Sequence, residues 1–238
     1  MTLPVAVLAG GLATRLQPLT ERIPKILLDV AGRPFVEHQI ELLKRHRVDT
    51  VVFCLGHLGG QVADALGDGQ RWQMAFRYVS DGDRLAGTGG ALQRALPLLG
   101  PAFFVMYGDS YLDCDFAAIE SSFRASRAPG LMTVYRNEDR WDRSNVEYSA
   151  GRIVRYDKND RDASMRYIDY GLGVLTHEAF APWAGHAAPF DLAVVYQRLI
   201  AGGGLAGYEV PDRFYEIGSL AGLEETRRLL AARQRLTT

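Results

Sequence analysis

A glycine-rich segment and two basic residues near the start of the chain carry the clearest chemical signal. The segment Val7-Leu8-Ala9-Gly10-Gly11-Leu12-Ala13-Thr14-Arg15-Leu16 follows an apolar run, and Pro24-Lys25 comes shortly after it. Glycines let the backbone approach a bulky anion, so that its N–H groups donate to phosphate oxygens. Arg15 adds a planar guanidinium, and Lys25 adds a mobile ammonium. The pattern predicts a site that binds a polyphosphate.

Two better-known phosphate loops do not match this segment. The Walker pattern requires Gly-Lys-Ser/Thr, and no Gly-Lys follows Gly10-Gly11. The dinucleotide fingerprint requires a third nearby glycine, and the next one is Gly32. A Gly-Gly turn with surface charges is the simpler alternative. It explains the glycines but not the added Thr14-Arg15 and Pro24-Lys25 pairs.

The segment resembles the signature loop of the sugar-1-phosphate nucleotidyltransferases, and the resemblance extends along nearly the whole chain. That loop reads Leu-Ala-Gly-Gly-x-Gly-Thr-Arg-Leu, with Pro-Lys about ten residues later, and Ala13 stands where the family usually has glycine. The resemblance implies two substrates, an NTP and a sugar 1-phosphate, and Mg²⁺ as cofactor. It implies that Arg15 neutralises the departing pyrophosphate and that Lys25 neutralises the α-phosphate. The implied nucleotide contacts in this loop are Leu8, Ala9, Gly10, Gly11 and Thr14.

Two later motifs offer carboxylates for the metal ion. Tyr107-Gly108-Asp109 ends a predicted central strand, where ligands of open α/β sheets collect. It matches the family's Gly-Asp metal site, which implies that Asp109 binds Mg²⁺ and that Gly108 contacts the nucleotide. Glu216 stands where the family usually has the second metal-binding Asp, and its side chain is one methylene longer. The alternatives are an ordinary Gly-Asp turn for Asp109 and an exposed strand residue before a Ser-capped helix for Glu216.

The segment Gly87-Thr88-Gly89-Gly90-Ala91 opens a predicted helix, whose N-terminus favours anions and carbonyl acceptors. It resembles the family's Gly-Thr-x-x-Ala segment, which implies that Gly87 and Thr88 contact the nucleotide base. Asp81, just upstream, offers a carboxylate acceptor for a base N–H. A flexible loop before a helix is the alternative for this region.

Three pieces of the second half resemble the family segments that hold the sugar phosphate. The resemblance implies contacts from Asn145, Asp157, Lys158, Asp169 and Gly171. Asp157-Lys158 matches the usual Glu-Lys pair of the family. The carboxylate of that pair binds sugar hydroxyls, and its lysine binds the phosphate. Asp169 stands where Asn is usual, so that an acceptor-only carboxylate replaces an amide. The alternative is that these residues are charges at hairpin ends.

The order of apolar and polar residues predicts the elements that position these groups. Strand signals at 3–8, 50–55 and 103–107 alternate with helix signals at 35–47, 89–98 and 115–126, then a hairpin around Ala150-Gly151 is followed by strands at 167–175 and 205–210 and helices at 193–200 and 220–233. We predict an α/β, Rossmann-like fold of the nucleotide-diphospho-sugar transferase type, with a mixed, mainly parallel sheet flanked by helices. We expect one domain, 1–238, with a nucleotide-binding lobe at 1–136 and a sugar-phosphate-binding lobe at 137–238.

Composition excludes several classes of function. The 238 residues carry a net charge of −1 and the pI is near 6.5, so the chain has no basic field for nucleic acid or an anionic membrane. Apolar runs are shorter than the roughly 18 residues of a membrane span. Cys54 and Cys114 have neither metal-ligand nor redox spacing. We expect a cytoplasmic protein without a signal peptide, and a homo-oligomer is compatible with the sequence.

These patterns favour Mg²⁺-dependent nucleotidyl transfer to a sugar 1-phosphate. The short chain and Gly32-Arg33-Pro34-Phe35 resemble compact bacterial members of the heptose-1-phosphate guanylyltransferase and N-acetylmuramate-1-phosphate uridylyltransferase types. We favour guanylyl transfer to a heptose- or mannose-like 1-phosphate. Two other classes stay open. A non-catalytic nucleotide-sugar-binding regulator would explain Glu216 and Asp169, and a glycosyltransferase would use an Asp-x-Asp motif such as Asp113-Cys114-Asp115.

Overall fold

The computed structural model describes residues 2–82, 84–160, 162–186 and 189–237. Its strands are β1 Val5–Ala9, β2 Asp29–Val30, β3 Arg33–Pro34, β4 Thr50–Leu55, β5 Ala75–Ser80, β6 Ala102–Tyr107, β7 Ser110–Tyr111, β8 Gly130–Arg136, β9 Val146–Ser149, β10 Arg152–Tyr156, β11 Tyr167–Thr176, β12 Leu205–Glu209 and β13 Tyr215–Glu216. Its helices are α1 Phe35–Arg45, α2 Gly59–Leu66, α3 Gly87–Ala95, α4 Phe116–Ser126, α5 Leu192–Ala201 and α6 Leu220–Thr237.

Within these residues, one nine-stranded sheet runs in the order β5-β4-β1-β6-β11-β8-β12-β10-β9. The strands β5, β4, β1 and β6 pair in parallel, whereas β11 pairs antiparallel with both β6 and β8. Next in the sheet, β12 pairs in parallel with β8. The sheet ends in the antiparallel hairpin of β10 and β9. The predicted mixed sheet flanked by helices is confirmed. Parallel pairing dominates the first half of the chain, and antiparallel pairing dominates the second.

The apolar runs form strands because both faces of the sheet are covered by helices. On one face, α1 and α4 pack against β1 and β6 through residues such as Ile40 and Ile119. On the other face, α3 and α5 contribute Leu92 and Val195. The local signals also set the helix starts, since Asp115 accepts a hydrogen bond from the Ala118 N–H before α4.

A small pair of strands brings the two halves of the predicted metal site together. The strand β13 pairs antiparallel with β7, with Glu216 opposite Ser110. The Ile217 N–H donates to the Asp109 carbonyl at 2.9 Å. The helix α6 then packs Leu223 and Leu230 against the same region. Glu216 is therefore fixed next to the residue that follows β6.

No helix in the described part of the chain is long and apolar enough to cross a membrane.

Candidate active site

A cavity of about 240 Å³ lies at the carboxyl ends of the parallel strands β1, β4 and β6. Ligands of open α/β sheets bind in this position. Ten of the predicted site residues line it: Leu8, Ala9, Gly10, Gly11, Lys25, Asp81, Gly87, Thr88, Gly108 and Asp109. The structure thus brings together residues that lie in five separate parts of the sequence. Their individual roles toward a nucleotide remain predictions.

Two glycines allow the backbone of neighbouring loops to approach closely around this cavity. A Cβ at Gly108 would lie 2.8 Å from the Leu8 carbonyl oxygen, and a Cβ at Gly10 would lie 3.1 Å from the Gly56 nitrogen. A larger residue at Gly108 would push β6 away from β1. The Gly108 N–H also donates to the Leu8 carbonyl at 2.9 Å. The glycine-rich loop and the strand end that carries Asp109 are therefore held in contact.

Lys25 and Asp109 form an ion pair at the floor of the site. The Lys25 Nζ lies 2.5 Å from the Asp109 Oδ2, and each side chain is about one-fifth exposed. Pro24 precedes a short 3₁₀ turn at Lys25–Leu27, which directs the ammonium toward the end of β6. Because both groups remain accessible from the cavity, each can exchange its partner for a ligand.

Arg15 and Glu216 converge beside this pair. A Cβ built on Gly218 would lie 3.1 Å from the Arg15 Nη2 and 3.2 Å from the Glu216 Oε1. The pKa of the Glu216 carboxyl is raised, first by burial and then by repulsion from the Asp109 carboxylate, while the Arg15 charge opposes the rise. Arg15 and Glu216 line a second cavity together with Trp141 and Arg213.

The donor set fits a divalent cation that shares its ligands with phosphate. Among the described residues, no group of three or more His, Cys, Asp or Glu side chains could enclose a metal ion. Asp109 and Glu216 nevertheless supply two repelling carboxylates, and a cation between them would relieve that repulsion. Mg²⁺ is held in this way in many phosphate-transfer sites, by one or two carboxylates plus substrate oxygens. Asp109 and Glu216 are the residues that would hold it.

Asp81 contributes a buried carboxylate to the 240 Å³ cavity. Its Oδ2 accepts the Ala86 N–H at 3.1 Å, and only 7% of the residue is exposed. Burial raises the pKa of this carboxyl. The side chain is thus anchored through one carboxylate oxygen, and its contact with a base N–H remains a prediction.

The N-terminus of α3 binds a backbone carbonyl of this same chain. The Gly89 and Gly90 N–H groups donate to the Phe190 carbonyl at 3.0 and 3.3 Å. The Thr88 hydroxyl accepts the Leu192 N–H at 2.8 Å. The N-terminus of this helix was predicted to favour anions and carbonyl acceptors. In the structure, the acceptor is the Phe190 carbonyl of the same chain. Gly87 and Thr88 still line the cavity, and their contact with the base remains a prediction.

The predicted sugar-phosphate residues form a second hydrogen-bonded group. The Asn145 Oδ1 accepts the Asp169 N–H, and its carbonyl accepts the Asp157 N–H, each at 3.0 Å. The Asp169 carboxylate accepts the Gly171 N–H at 3.0 Å and the Tyr156 hydroxyl at 3.2 Å. Burial raises the pKa of Asp169. Asp169 is thus a structured acceptor, whereas the Asp157 carboxylate accepts N–H groups of its own turn.

Three placements differ from the simplest sequence picture. The sugar-phosphate group does not line the 240 Å³ cavity, and neither do Thr14 and Arg15. The Lys158 Nζ lies 3.2 Å from Asp191, a residue to which the sequence analysis gave no role. His57, to which the sequence analysis gave no role, also lines the cavity. His57 lies two residues past the end of β4, and a polar side chain just beyond a central strand was the signal available for it.

Comparison with known proteins agrees with this architecture. A family model described as nucleotidyl transferase matches residues 5–145. An N-acetylmuramate alpha-1-phosphate uridylyltransferase from Neisseria meningitidis serogroup B is 40% identical over 113 residues, which cover 47% of this chain and 49% of the relative. A protein of the same name from Caulobacter vibrioides is 29% identical over 223 residues, or 89% of this chain and 90% of the relative.

A solved structure extends the likeness to the whole fold. HddC from Yersinia pseudotuberculosis, complexed with GMP-PN, superposes with a TM-score of 0.80 at 19% identity and covers 96% of this chain and 99% of that chain. The chain belongs to the nucleotidyl transferase family. The two sequence relatives are both named as N-acetylmuramate alpha-1-phosphate uridylyltransferases.

Proposed function

We propose that this protein transfers a nucleotidyl group from an NTP to a sugar 1-phosphate in a Mg²⁺-dependent reaction, which gives an NDP-sugar and pyrophosphate. One observation carries the proposal. Lys25 and Asp109 meet beside the cavity at the strand ends, and Arg15 and Glu216 converge next to them. Two anionic substrates must be brought together for this reaction, and the site supplies cations and N–H donors for that purpose.

The chemistry follows from where these charges lie. An oxygen of the sugar phosphate attacks the α-phosphorus of the NTP, and the bond from that phosphorus to the bridging oxygen of pyrophosphate breaks. The attacking phosphate is already ionised at neutral pH, so no general base is required. Lys25 neutralises the α-phosphate, and Arg15 neutralises the departing pyrophosphate. Mg²⁺ held by Asp109 and Glu216 would offset the charge shared by the two phosphates.

Uridylyl transfer is the first candidate for the nucleotide, because the two sequence relatives described above are uridylyltransferases. Guanylyl transfer, which the sequence analysis favoured, is the second candidate. The Asp81 carboxylate supports it, since one carboxylate can accept both the N1–H and the amino group of guanine, whereas uracil offers only N3–H. The choice of base therefore depends on how the anchored Asp81 meets the base edge.

The acceptor that we propose is a hydroxyl-rich, uncharged sugar, such as a heptose- or mannose-like 1-phosphate. Asp169 and Asp157 offer acceptors to hydroxyl groups, and Lys158 supplies a cation for the phosphate. A sugar that carries its own carboxylate, as N-acetylmuramate does, would approach Asp169 and Asp191 as a like charge. Nucleotide-sugar biosynthesis in the cytoplasm is the corresponding role. We also propose that the chain divides into two lobes after residue 136 and that it forms a homo-oligomer.

A pyrophosphate-release assay tests the proposal. Purified protein is incubated with each of UTP, GTP, dTTP, CTP and ATP and with a panel of sugar 1-phosphates that includes N-acetylmuramate 1-phosphate. We expect release that requires both substrates and Mg²⁺, with UTP or GTP preferred. Nucleotide-sugar binding without release would instead support a regulator. Consumption of an NDP-sugar without pyrophosphate would support a glycosyltransferase.

A further inference from the structure

Lys158 is paired with a carboxylate that comes from a distant part of the chain. The Lys158 Nζ lies 3.2 Å from the Asp191 Oδ1, although 33 residues separate them in sequence. Lys158 follows β10 in a partly exposed turn, and its long side chain has many rotamers in such a position. The pair therefore restricts a side chain that the backbone alone leaves mobile.

Asp191 itself is held rigidly. Its Oδ1 accepts the Ala193 N–H at 2.7 Å, so that it is the N-cap of α5. The flanking residues are bound to α3: the Leu192 N–H donates to the Thr88 hydroxyl, and the Phe190 carbonyl accepts the Gly89 and Gly90 N–H groups. Both neighbours of Asp191 are thus hydrogen-bonded to the helix that borders the nucleotide cavity.

Packing reinforces the same attachment. A Cβ at Gly89 would lie 2.3 Å from the Phe190 ring, so the glycine allows the ring to lie directly on the helix. Trp183 also stacks on Phe190, with ring centroids 5.5 Å apart. The segment 189–192 is therefore a rigid connection between the start of α3 and Lys158.

We propose that Asp191 is a positioning residue that holds Lys158 in place for the sugar phosphate and ties it to the nucleotide-binding helix α3. The inference rests on the proposed function, in which Lys158 binds that phosphate. An ammonium has three N–H donors, so that Lys158 can keep its bond to Asp191 and still donate to a phosphate. Because the lysine is already ordered, less conformational entropy is lost when the sugar phosphate binds.

The Asp191→Asn variant tests this role without removing the helix cap, because Asn is as good an N-cap as Asp. We expect the KM for the sugar 1-phosphate to rise about three- to fivefold, the scale of a partly exposed ion pair. The KM for the NTP and the melting temperature should stay nearly unchanged. Asp115→Asn, which alters the N-cap of α4 in the same way, is the matched control and should leave both KM values unchanged.

A double-mutant cycle shows whether Asp191 acts through Lys158. Lys158→Ala should raise the KM for the sugar 1-phosphate, and adding Asp191→Asn to it should cause no further rise. If Lys158→Ala raises this KM and Asp191→Asn leaves it unchanged or lowers it, the positioning role is wrong. If Lys158→Ala itself has no effect on this KM, Lys158 does not hold the phosphate, and that part of the proposed function fails with the inference.

Discussion

The ammonium of Lys25 lies 2.5 Å from the carboxylate of Asp109, although 84 residues separate them in sequence. The contact forms because β1 and β6 are parallel neighbours, so that the loop after one and the residue after the other meet at the same sheet edge. Lys25 therefore neutralises the carboxylate that would bind Mg²⁺. We expect a bound triphosphate to attract the ammonium to its α-phosphate and to leave Asp109 to the metal.

Replacing Lys25 by alanine tests its role in the transition state. Turnover in Lys25→Ala should fall about 100-fold or more, as happens when a charge contact made in the transition state is lost. Lys44→Ala removes a lysine from the exposed face of α1 and is the matched control. Steady-state pyrophosphate release measures both. Near-normal turnover in Lys25→Ala would remove Lys25 from the catalytic machinery.

The Asp109→Asn variant tests the metal assignment. We expect Mg²⁺-dependent activity to be abolished, because an amide is a neutral and weaker ligand, while the melting temperature changes little. The variant leaves Lys25 with its charge, so loss of the lysine does not explain the result. Activity is measured across a Mg²⁺ titration. Full activity at ordinary Mg²⁺ concentrations would mean that another group holds the ion.

Glu216 should tolerate shortening better than removal. Glu216→Asp restores the length of the usual family residue and should retain activity, whereas Glu216→Ala should lose most of it. Mg²⁺ requires near-ideal octahedral geometry at about 2.0–2.1 Å, so the outcome depends on whether a carboxylate still reaches the ion. Initial rates of all three proteins are compared. A fully active Glu216→Ala enzyme would show that Asp109 and the substrate phosphates suffice.

The raised pKa of Glu216 predicts a pH-dependent cost in stability. Burial and the Asp109 charge favour the protonated form in the folded state, so the folded protein binds more protons than the unfolded chain between the ordinary and the raised pKa. The ionised carboxylate therefore destabilises the fold above the raised pKa, and the cost disappears as the pH falls below the ordinary value. Without Mg²⁺, Glu216→Gln should melt higher than the wild type at pH 7, and the difference should shrink toward pH 4. An unchanged difference would contradict this.

Ala13 occupies a backbone conformation that favours glycine. Its φ of 49° and ψ of 40° are left-handed, at the position where the related loops usually have glycine. This conformation costs an alanine roughly 1–2 kcal/mol, and glycine loses roughly 0.5–1 kcal/mol more entropy on folding. Ala13→Gly should therefore raise the free energy of unfolding by up to about 1 kcal/mol. Chemical denaturation measures it, and Ala117→Gly on the exposed face of α4 should have the opposite sign. A lower stability in Ala13→Gly would contradict the strain.

Local features of the fold could be read from the sequence because they depend on neighbouring residues. The apolar run 50–55 forms β4 at the predicted bounds, and the turn at Ala150-Gly151 connects β9 and β10. The strand β8 was not assigned, and its buried Thr133 finds its partner, the Leu172 carbonyl, only in the folded sheet.

The candidate site likewise has features that could be predicted from local sequence and contacts that could not. The glycine-rich loop and Asp109 were identifiable because strand ends and turns have local signatures. The contacts of Lys25 with Asp109, of Lys158 with Asp191 and of Thr88 in α3 with Leu192 join residues 33 to 104 positions apart. Such contacts depend on strand order and helix packing. Asp191 carries no local signal beyond that of a helix cap, and for this reason its relation to Lys158 appeared only in the structure.

The central claim is that a sugar phosphate oxygen attacks the α-phosphorus of the NTP, and isotope retention tests it most directly. A sugar 1-phosphate labelled with ¹⁸O in the bridge between C1 and phosphorus is turned over with the preferred NTP, and the products are examined by mass spectrometry. We predict an NDP-sugar that keeps the label and pyrophosphate that carries none, in equal amounts. Loss of the label from the NDP-sugar, or no NDP-sugar with any NTP and sugar 1-phosphate tested, would contradict the account.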